Sequence, residues 1–137
     1  MDRLAHAVDY YWVPRVWVDR GRKPAMPNCV VYPNSTEEVS KVVKIANYYK
    51  IPIVPWGGGS GSQGGALPVD GGIVLDMKKM NRVVELNESA YTVTVEVGII
   101  HQHLEWEINK KGYSTMHLPA SVGCATLGGF LAHRGTG

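Results

Sequence analysis

The chain is poor in cysteine and has no concentration of charge of one sign. Cys29 and Cys124 are the only cysteines among 137 residues, so a disulfide framework is excluded and a reducing, cytoplasmic location is expected. The net charge of +2 includes no basic block, which removes the electrostatic basis for binding nucleic acid. Cys29 lies in an apolar segment, where we predict a small core residue. For Cys124 two interpretations are open: its side chain packs within the domain, or it faces a ligand.

Apolar spans and metal-ligand patterns are also missing. The uncharged glycine-rich stretch is too polar to cross a bilayer, and charges interrupt the N-terminus where a signal peptide has its apolar core. No cysteine pair has metal-ligand spacing, and His101 and His103 lie on different faces of a helix, so no metal site is predicted. The content of 45% hydrophobic and 19% charged residues is typical of one modest globular domain.

Glycine is what the chain has in abundance. It contains 16 glycines, and half of residues 55–66 are glycine, directly after a short apolar segment over residues 51–54. Ordering glycine costs the most backbone entropy, but its bare backbone lets successive amides point into one concavity that suits a phosphate or pyrophosphate. A flexible linker is the alternative interpretation.

Two familiar phosphate loops do not match this stretch. A P-loop needs a lysine after its glycines, and none occurs between Lys50 and Lys78. The dinucleotide fingerprint needs a helix that opens from the glycines, whereas residues 66–72 continue as a loop towards a strand-like run, Ile73–Asp76. The sequence therefore predicts a glycine loop that joins strand to strand.

The first half of the chain predicts a βαβ unit. Strands over residues 28–33 and 52–55 flank a helix that Ser35 or Thr36 caps, which implies parallel pairing. One stripe of that helix is predicted to face a sheet: Val39, Val42, Val43, Ala46 and Tyr49.

The second half predicts a hairpin and two helices. The hairpin strands cover residues 83–86 and 91–97, and a helix follows over residues 100–111. Residues 126–129 are predicted to open a short helix whose first amides remain available to a ligand.

An aromatic-rich extension precedes both halves. A helix is predicted from Arg3 to Trp12, with Pro14 ending it. The aromatic side chains of this extension pack either on this domain or on a partner.

Five segments in order resemble the FAD-linked oxidase family, whose members carry the vanillyl-alcohol oxidase/PCMH-type FAD-binding domain. They are residues 33–39, 55–66, 72–81, 95–98 and 119–129. The resemblance implies an α+β fold, with an α/β-type first half, in which a small parallel βαβ subdomain precedes a partial mixed or antiparallel subdomain. We expect an N-terminal extension over residues 1–27, a first subdomain over 28–98 with the pyrophosphate loop at 55–66, and a truncated second subdomain over 99–137, without the substrate cap.

The resemblance also implies bound FAD. Carried over by position, it assigns cofactor contacts to both loops: Pro55, Gly57, Gly58, Gly59, Ser60, Gly61, Ser62, Pro119, Ser121, Thr126, Gly128, Gly129 and Ala132. Ser60 stands where some covalently flavinylated relatives have histidine, so the FAD is expected to be non-covalent. Gly58→Val is expected to abolish flavin binding and leave the fold largely intact.

The nearest branches of the family differ in chemistry. The D-lactate and glycolate dehydrogenases imply hydride transfer from a 2-hydroxy acid to the flavin. Phe130 and Arg134 resemble instead the alkyl-dihydroxyacetone-phosphate synthases, and a truncated, non-catalytic association domain is the third alternative. No catalytic residue is assigned. Because the family's catalytic parts lie beyond this stretch, we expect a fragment or split-gene product that a second chain or self-association completes.

Overall fold

The computed structural model describes residues 1–136 as two small sheets and five helices. Gly137, the end of the predicted second subdomain, lies outside the described residues. The elements in chain order are α1 (Asp2–Ala5), α2 (Val13–Asp19), β1 (Cys29–Val31), α3 (Thr36–Tyr49), β2 (Ile53–Trp56), β3 (Ile73–Asp76), a 3₁₀ turn (Met77–Lys79), β4 (Val83–Asn87), β5 (Thr92–Val95), α4 (His101–Asn109) and α5 (Leu127–Ala132).

The first sheet is parallel, with the order β1-β3-β2. The predicted parallel arrangement is confirmed, but β1 and β2 do not pair directly, because β3 lies between them and pairs with both. The central position matches the burial of Val74 and Leu75. Trp56 is in register with Asp76, so β2 and β3 end at the same edge, and the glycine loop leaves from that edge.

Helix α3 starts where its capping residues predict. The hydroxyl of Ser35 accepts a hydrogen bond from the amide of Glu38 at 3.3 Å, and the Glu38 carboxylate accepts one from the amide of Asn34 at 2.8 Å. The apolar stripe is narrower than predicted. Val39 and Val42 are half-buried and Ala46 is buried.

The prediction was wrong for the two outer residues of that stripe. Val43 and Tyr49 are exposed, because only a narrow stripe of α3, with Ala46 as its one buried residue, is covered by the rest of the domain.

The second sheet is the predicted hairpin, and it packs on α4. Strands β4 and β5 are antiparallel. The core of this half consists of Ile99, Leu104 and Ile108, and the half-buried Val83, Leu86, Val93 and Val95 of the hairpin pack against it. A parallel unit followed by an antiparallel one confirms the α+β fold class. The subdomain boundary at Gly98 stays a prediction.

The N-terminal extension differs from the predicted helix. The helix from Arg3 to Trp12 was wrong: α1 ends at Ala5, and α2 begins at Val13 with Pro14 in its first turn. Proline fits there because the first helical amides have no partner within the helix. The helix breaks at His6, because the His6 ring is held by the buried Asp76 at 2.9 Å.

The prediction that Cys29 is a core residue was also wrong. It lies exposed in β1, an edge strand of the parallel sheet, and apolar strand sequence alone does not distinguish an edge from a centre. Within residues 1–136, no helix combines the length and the apolar character needed to cross a membrane.

Candidate functional site

Two loops meet beside the carboxyl end of β2. The first is the glycine loop, residues 57–66, and the second is residues 119–126. A side chain on Gly57 would overlap the hydroxyl of Thr126, and one on Gly58 would overlap the backbone carbonyl of Cys124. These two glycines therefore allow the glycine loop to approach the second loop closely, with Gly58 against its backbone.

This contact corrects the expectation for Gly58→Val. The variant would push the two loops apart, so it would disturb the fold together with any bound ligand. The physical reason is that the added carbon meets fixed backbone, which cannot move aside as a flexible side chain can.

The rest of the glycine loop offers unpaired donors. Between Gly58 and Ser62, no backbone amide donates a hydrogen bond to another residue of the described chain. Gly59 has a φ of +63°, which a non-glycine residue rarely adopts. Gly61 has no heavy atom closer than 4.0 Å to the position of a side chain, so its open side faces space that a ligand can fill.

A cleft of about 280 Å³ lies against this loop. The extension forms one wall, with Val8, Asp9, Tyr10 and Arg15. Trp56, Gly58, Gly59, Ser60 and Cys124 complete the lining. Cys124 is exposed at this cleft and its thiol donates to the Ser121 carbonyl at 3.5 Å, so it does not pack in the core, and its contact with a ligand stays a prediction. Amide donors and one guanidinium on a concave surface suit an anionic group.

The second loop is held mainly by its own backbone. Pro119 is buried, and the carbonyl of Ser121 accepts hydrogen bonds from the amides of Cys124 and Ala125. Thr126 is buried against Gly57. This loop therefore supports the shape of the glycine loop.

The amides at the start of α5 are not available as predicted. Leu127 donates to the carbonyl of Ile99 at 2.8 Å, and Gly128 donates to that of Val97 at 2.9 Å. The prediction was wrong for these two amides because Thr126, directly before α5, pairs with Ile100 in an antiparallel bridge. The segment that leads to Ile100 therefore supplies the carbonyls that accept from both amides. Gly128 also lacks room for a side chain, because one would overlap Val97.

The other residues predicted to contact the cofactor lie away from the contact between the two loops. Pro55 is exposed in β2, and Ala132 is exposed at the end of α5. Gly129 is exposed in the first turn of α5, and its amide donates to no acceptor among residues 1–136.

A family model described as "FAD binding domain" matches residues 27–137. The chain belongs to this family. The match covers both loops and both sheets of the FAD-binding domain. It leaves out nearly all of the N-terminal extension, which forms one wall of the cleft. FAD is accordingly the cofactor, as the sequence predicted.

Curated relatives carry several enzyme names. The FAD-binding domain is 36% identical over 105 residues to "Glycolate oxidase subunit GlcD" of Bacillus subtilis, which covers 77% of this chain. It is 37% identical over 133 residues, or 95% of the chain, to "Alkyldihydroxyacetonephosphate synthase" of Dictyostelium discoideum. The "Probable D-lactate dehydrogenase, mitochondrial" of Danio rerio is 37% identical over 112 residues, which cover 81% of the chain.

Solved structures share the same architecture. An alkyldihydroxyacetonephosphate synthase superposes with a TM-score of 0.90 at 34% identity, over 99% of this chain and 28% of that one. A p-cresol methylhydroxylase superposes with a TM-score of 0.71 at 31% identity, over 79% of this chain and 22% of that one. The FAD-binding domain described here spans 22% of the length of each of the three curated relatives.

Two buried polar groups of the FAD-binding domain were missed by the sequence analysis. Asp76 is fully buried at the end of β3, and it accepts hydrogen bonds from the His6 ring and the amide of Lys78. His101 is buried at the start of α4, with its Nε2 3.2 Å from the hydroxyl of Thr115. His6 and Asp76 are 70 positions apart in the chain, so no local sequence pattern predicts their contact.

Proposed function

We propose that the glycine loop binds the pyrophosphate of FAD through the backbone amides between Gly58 and Ser62. The observation that carries this proposal is that these amides have no acceptor within residues 1–136, and that Gly58, Gly59 and Ser60 line a cleft. Arg15 in the cleft wall adds a positive charge, so the donor set fits a diphosphate.

The proposed contacts divide the predicted residues into two groups. Gly59, Ser60, Gly61 and Ser62 face the cofactor, whereas Gly57, Gly58 and Thr126 set the distance between the loops. Pro119, Ser121 and Gly128 hold the second loop and the start of α5. Pro55, Gly129 and Ala132 stay candidates for contacts with the rest of the cofactor. FAD supplies a two-electron acceptor when it is bound.

For the reaction, we propose oxidation of a 2-hydroxy acid such as lactate or glycolate. Relatives named glycolate oxidase and D-lactate dehydrogenase support this class. No residue of the chain is assigned as a catalytic base, because the chain spans 22% of these relatives.

A synthase-like reaction is the second candidate, and one observation favours it. Relatives named alkyldihydroxyacetonephosphate synthase cover 95% and 98% of this chain, so their similarity reaches into the extension. The glycolate oxidase relative covers 77%. The extension forms part of the cleft, so a relative that shares it shares more of the site.

Gly61→Val is the sharpest test of the loop assignment. The added side chain would fill the open side of the loop, where the nearest protein atom to the added carbon is His133 Cδ2 at 4.0 Å. We therefore expect FAD affinity to fall by about tenfold or more while the melting temperature of the apoprotein stays unchanged. Gly65→Val is the matched control, because a side chain there lies in the same loop and meets no atom within 4 Å. Affinity is measured by quenching of FAD fluorescence. Equal affinity in Gly61→Val and the wild type would show that the pyrophosphate binds elsewhere.

The two reactions are separated by the flavin spectrum under anaerobic conditions. Bleaching of the bound flavin by D-lactate or glycolate supports the hydroxy-acid proposal. A flavin that stays oxidised with these acids, but whose spectrum shifts with a dihydroxyacetone-phosphate ester, supports the synthase-like proposal and refutes the first.

A further inference from the structure

The N-terminal extension is anchored directly on the glycine loop, although the family match begins only at residue 27. The amide of Tyr10 donates to the carbonyl of Gly59 at 2.8 Å, and the ring of Tyr11 lies against Gly64. The buried contact between His6 and Asp76 fixes the start of the extension at the edge of the parallel sheet. The extension is therefore a fixed wall of the cleft.

Asp9 stands out within this wall because half of its carboxylate has no partner. The residue is 3% exposed and lines the cleft. Its Oδ1 accepts a hydrogen bond from the amide of Tyr11 at 2.9 Å. Its Oδ2 is buried and has no hydrogen-bond partner among the described residues. A buried carboxylate oxygen without a donor is costly, so such oxygens are normally paired.

The chemistry of the cleft indicates what that donor is. A carboxylate accepts hydrogen bonds and repels phosphate, so the part of an anionic ligand that reaches it is a donor without negative charge, such as a hydroxyl. The amides of the glycine loop and Arg15 provide for the phosphates of the same ligand. A dinucleotide carries sugar-type hydroxyls a few bonds from its pyrophosphate on both sides, which matches a carboxylate placed beside a phosphate loop.

We propose that Asp9 accepts a hydrogen bond from a hydroxyl of the bound FAD, on either the ribose or the ribityl chain. The inference rests on the proposed FAD site and extends that site beyond the glycine loop into the extension. Asp9 then holds the cofactor through Oδ2 while Oδ1 keeps the turn at Tyr11.

The test is Asp9→Asn in the full chain, with FAD as the probe. Asparagine keeps the shape and the Oδ1 acceptor for Tyr11, but it removes the negative charge and replaces Oδ2 by a nitrogen that cannot accept a hydrogen bond from the ligand hydroxyl. We expect FAD affinity to fall by about tenfold or more, with no decrease in the melting temperature of the apoprotein. Asp19→Asn is the matched control, because Asp19 is an exposed residue of α2 and is expected to bind FAD like the wild type.

ADP and FMN distinguish the two sources of the hydroxyl. If the ribose supplies it, Asp9→Asn weakens ADP and leaves FMN unchanged, and the reverse pattern indicates the ribityl chain. Unchanged FAD affinity in Asp9→Asn, or a loss of apoprotein stability that accounts for the weaker binding, would overturn the role of Asp9 and leave the glycine loop in place. A wild-type chain that binds no FAD would overturn both proposals.

Discussion

At the residue scale, a buried histidine of α4 is fixed in one tautomer. The hydroxyl of Thr115 donates to the carboxylate of Glu105, so it accepts from the Nε2–H of His101. The Nδ1 of His101 is then a bare acceptor, buried with no partner among residues 1–136.

The surroundings of this pair shift both pKa values downward. Burial lowers the pKa of His101, Glu105 acts in the opposite direction, and His117 lowers it further. Burial alone would raise the pKa of Glu105, but hydrogen bonds from Thr115, Ser114 and Asn109 outweigh burial and lower it. The neutral histidine and the charged glutamate are therefore the forms that the fold favours.

The lowered pKa of His101 predicts that stability decreases at mildly acidic pH. The unfolded chain binds a proton below about pH 6.5 and the native histidine resists it, so this contribution is complete above pH ~6.5 and is lost as the pH falls towards the native pKa. We expect a smaller loss of unfolding free energy between about pH 7.5 and about pH 5.5 in His101→Gln than in the wild type. Urea denaturation of both proteins at both pH values measures this loss.

His103→Gln is the control for this prediction. His103 is exposed on the same helix and contacts the ring of Trp106. Its replacement should leave the pH dependence as in the wild type. An equal slope in His101→Gln and the wild type would assign the acid sensitivity to another group.

At the element scale, the hydroxyl of Ser35 is one of the two capping groups at the start of α3. Replacement of Ser35 by alanine removes the acceptor for the amide of Glu38, and we expect the free energy of unfolding to fall by about 1 kcal/mol. Thermal or urea denaturation measures this loss. Ser40→Ala is the matched control, since Ser40 is exposed within the same helix and alanine is the better helix former there. Equal stability of Ser35→Ala and the wild type would mean that Glu38 alone secures the cap.

The same scale separates what local sequence predicted from what it missed. Strands β1, β2 and β3, helices α3 and α4, and the hairpin were predicted because alternation, helical spacing and capping residues are local signals. The prediction of a helix from Arg3 to Trp12 was wrong because the His6 ring hydrogen-bonds to Asp76, which is 70 positions away in the chain. The prediction that the amides of Leu127 and Gly128 are available to a ligand was wrong for a similar reason, because these amides donate to carbonyls that are distant in the chain.

At the scale of the whole molecule, one face of α3 remains uncovered. Ile45, Tyr48 and Tyr49 are 55%, 79% and 67% exposed at spacings that place them on one face of the helix. An apolar face of this kind is typical of an interaction surface. Association with a second chain or with itself stays a prediction for this chain.

The double variant Ile45→Lys, Tyr48→Lys tests this prediction. We expect the wild type to show a mass above that of one chain in light scattering, and the variant to shift towards the monomer, because two charges cannot be buried unpaired. Val84→Lys, at another exposed apolar position, is the control. A monomeric wild type at high concentration would contradict the prediction.

The sequence by itself determined the family, the cofactor and the order of the helices and strands that follow the N-terminal extension. Those properties depend on short segments such as residues 55–66, whose glycine content and spacing are visible without the fold. Only the tertiary structure decided what each glycine does, because Gly57 and Gly58 touch a loop more than 60 positions away while Gly61 faces open space. It also decided that Asp9 joins the cleft, since the burial of a carboxylate depends on contacts between distant parts of the chain.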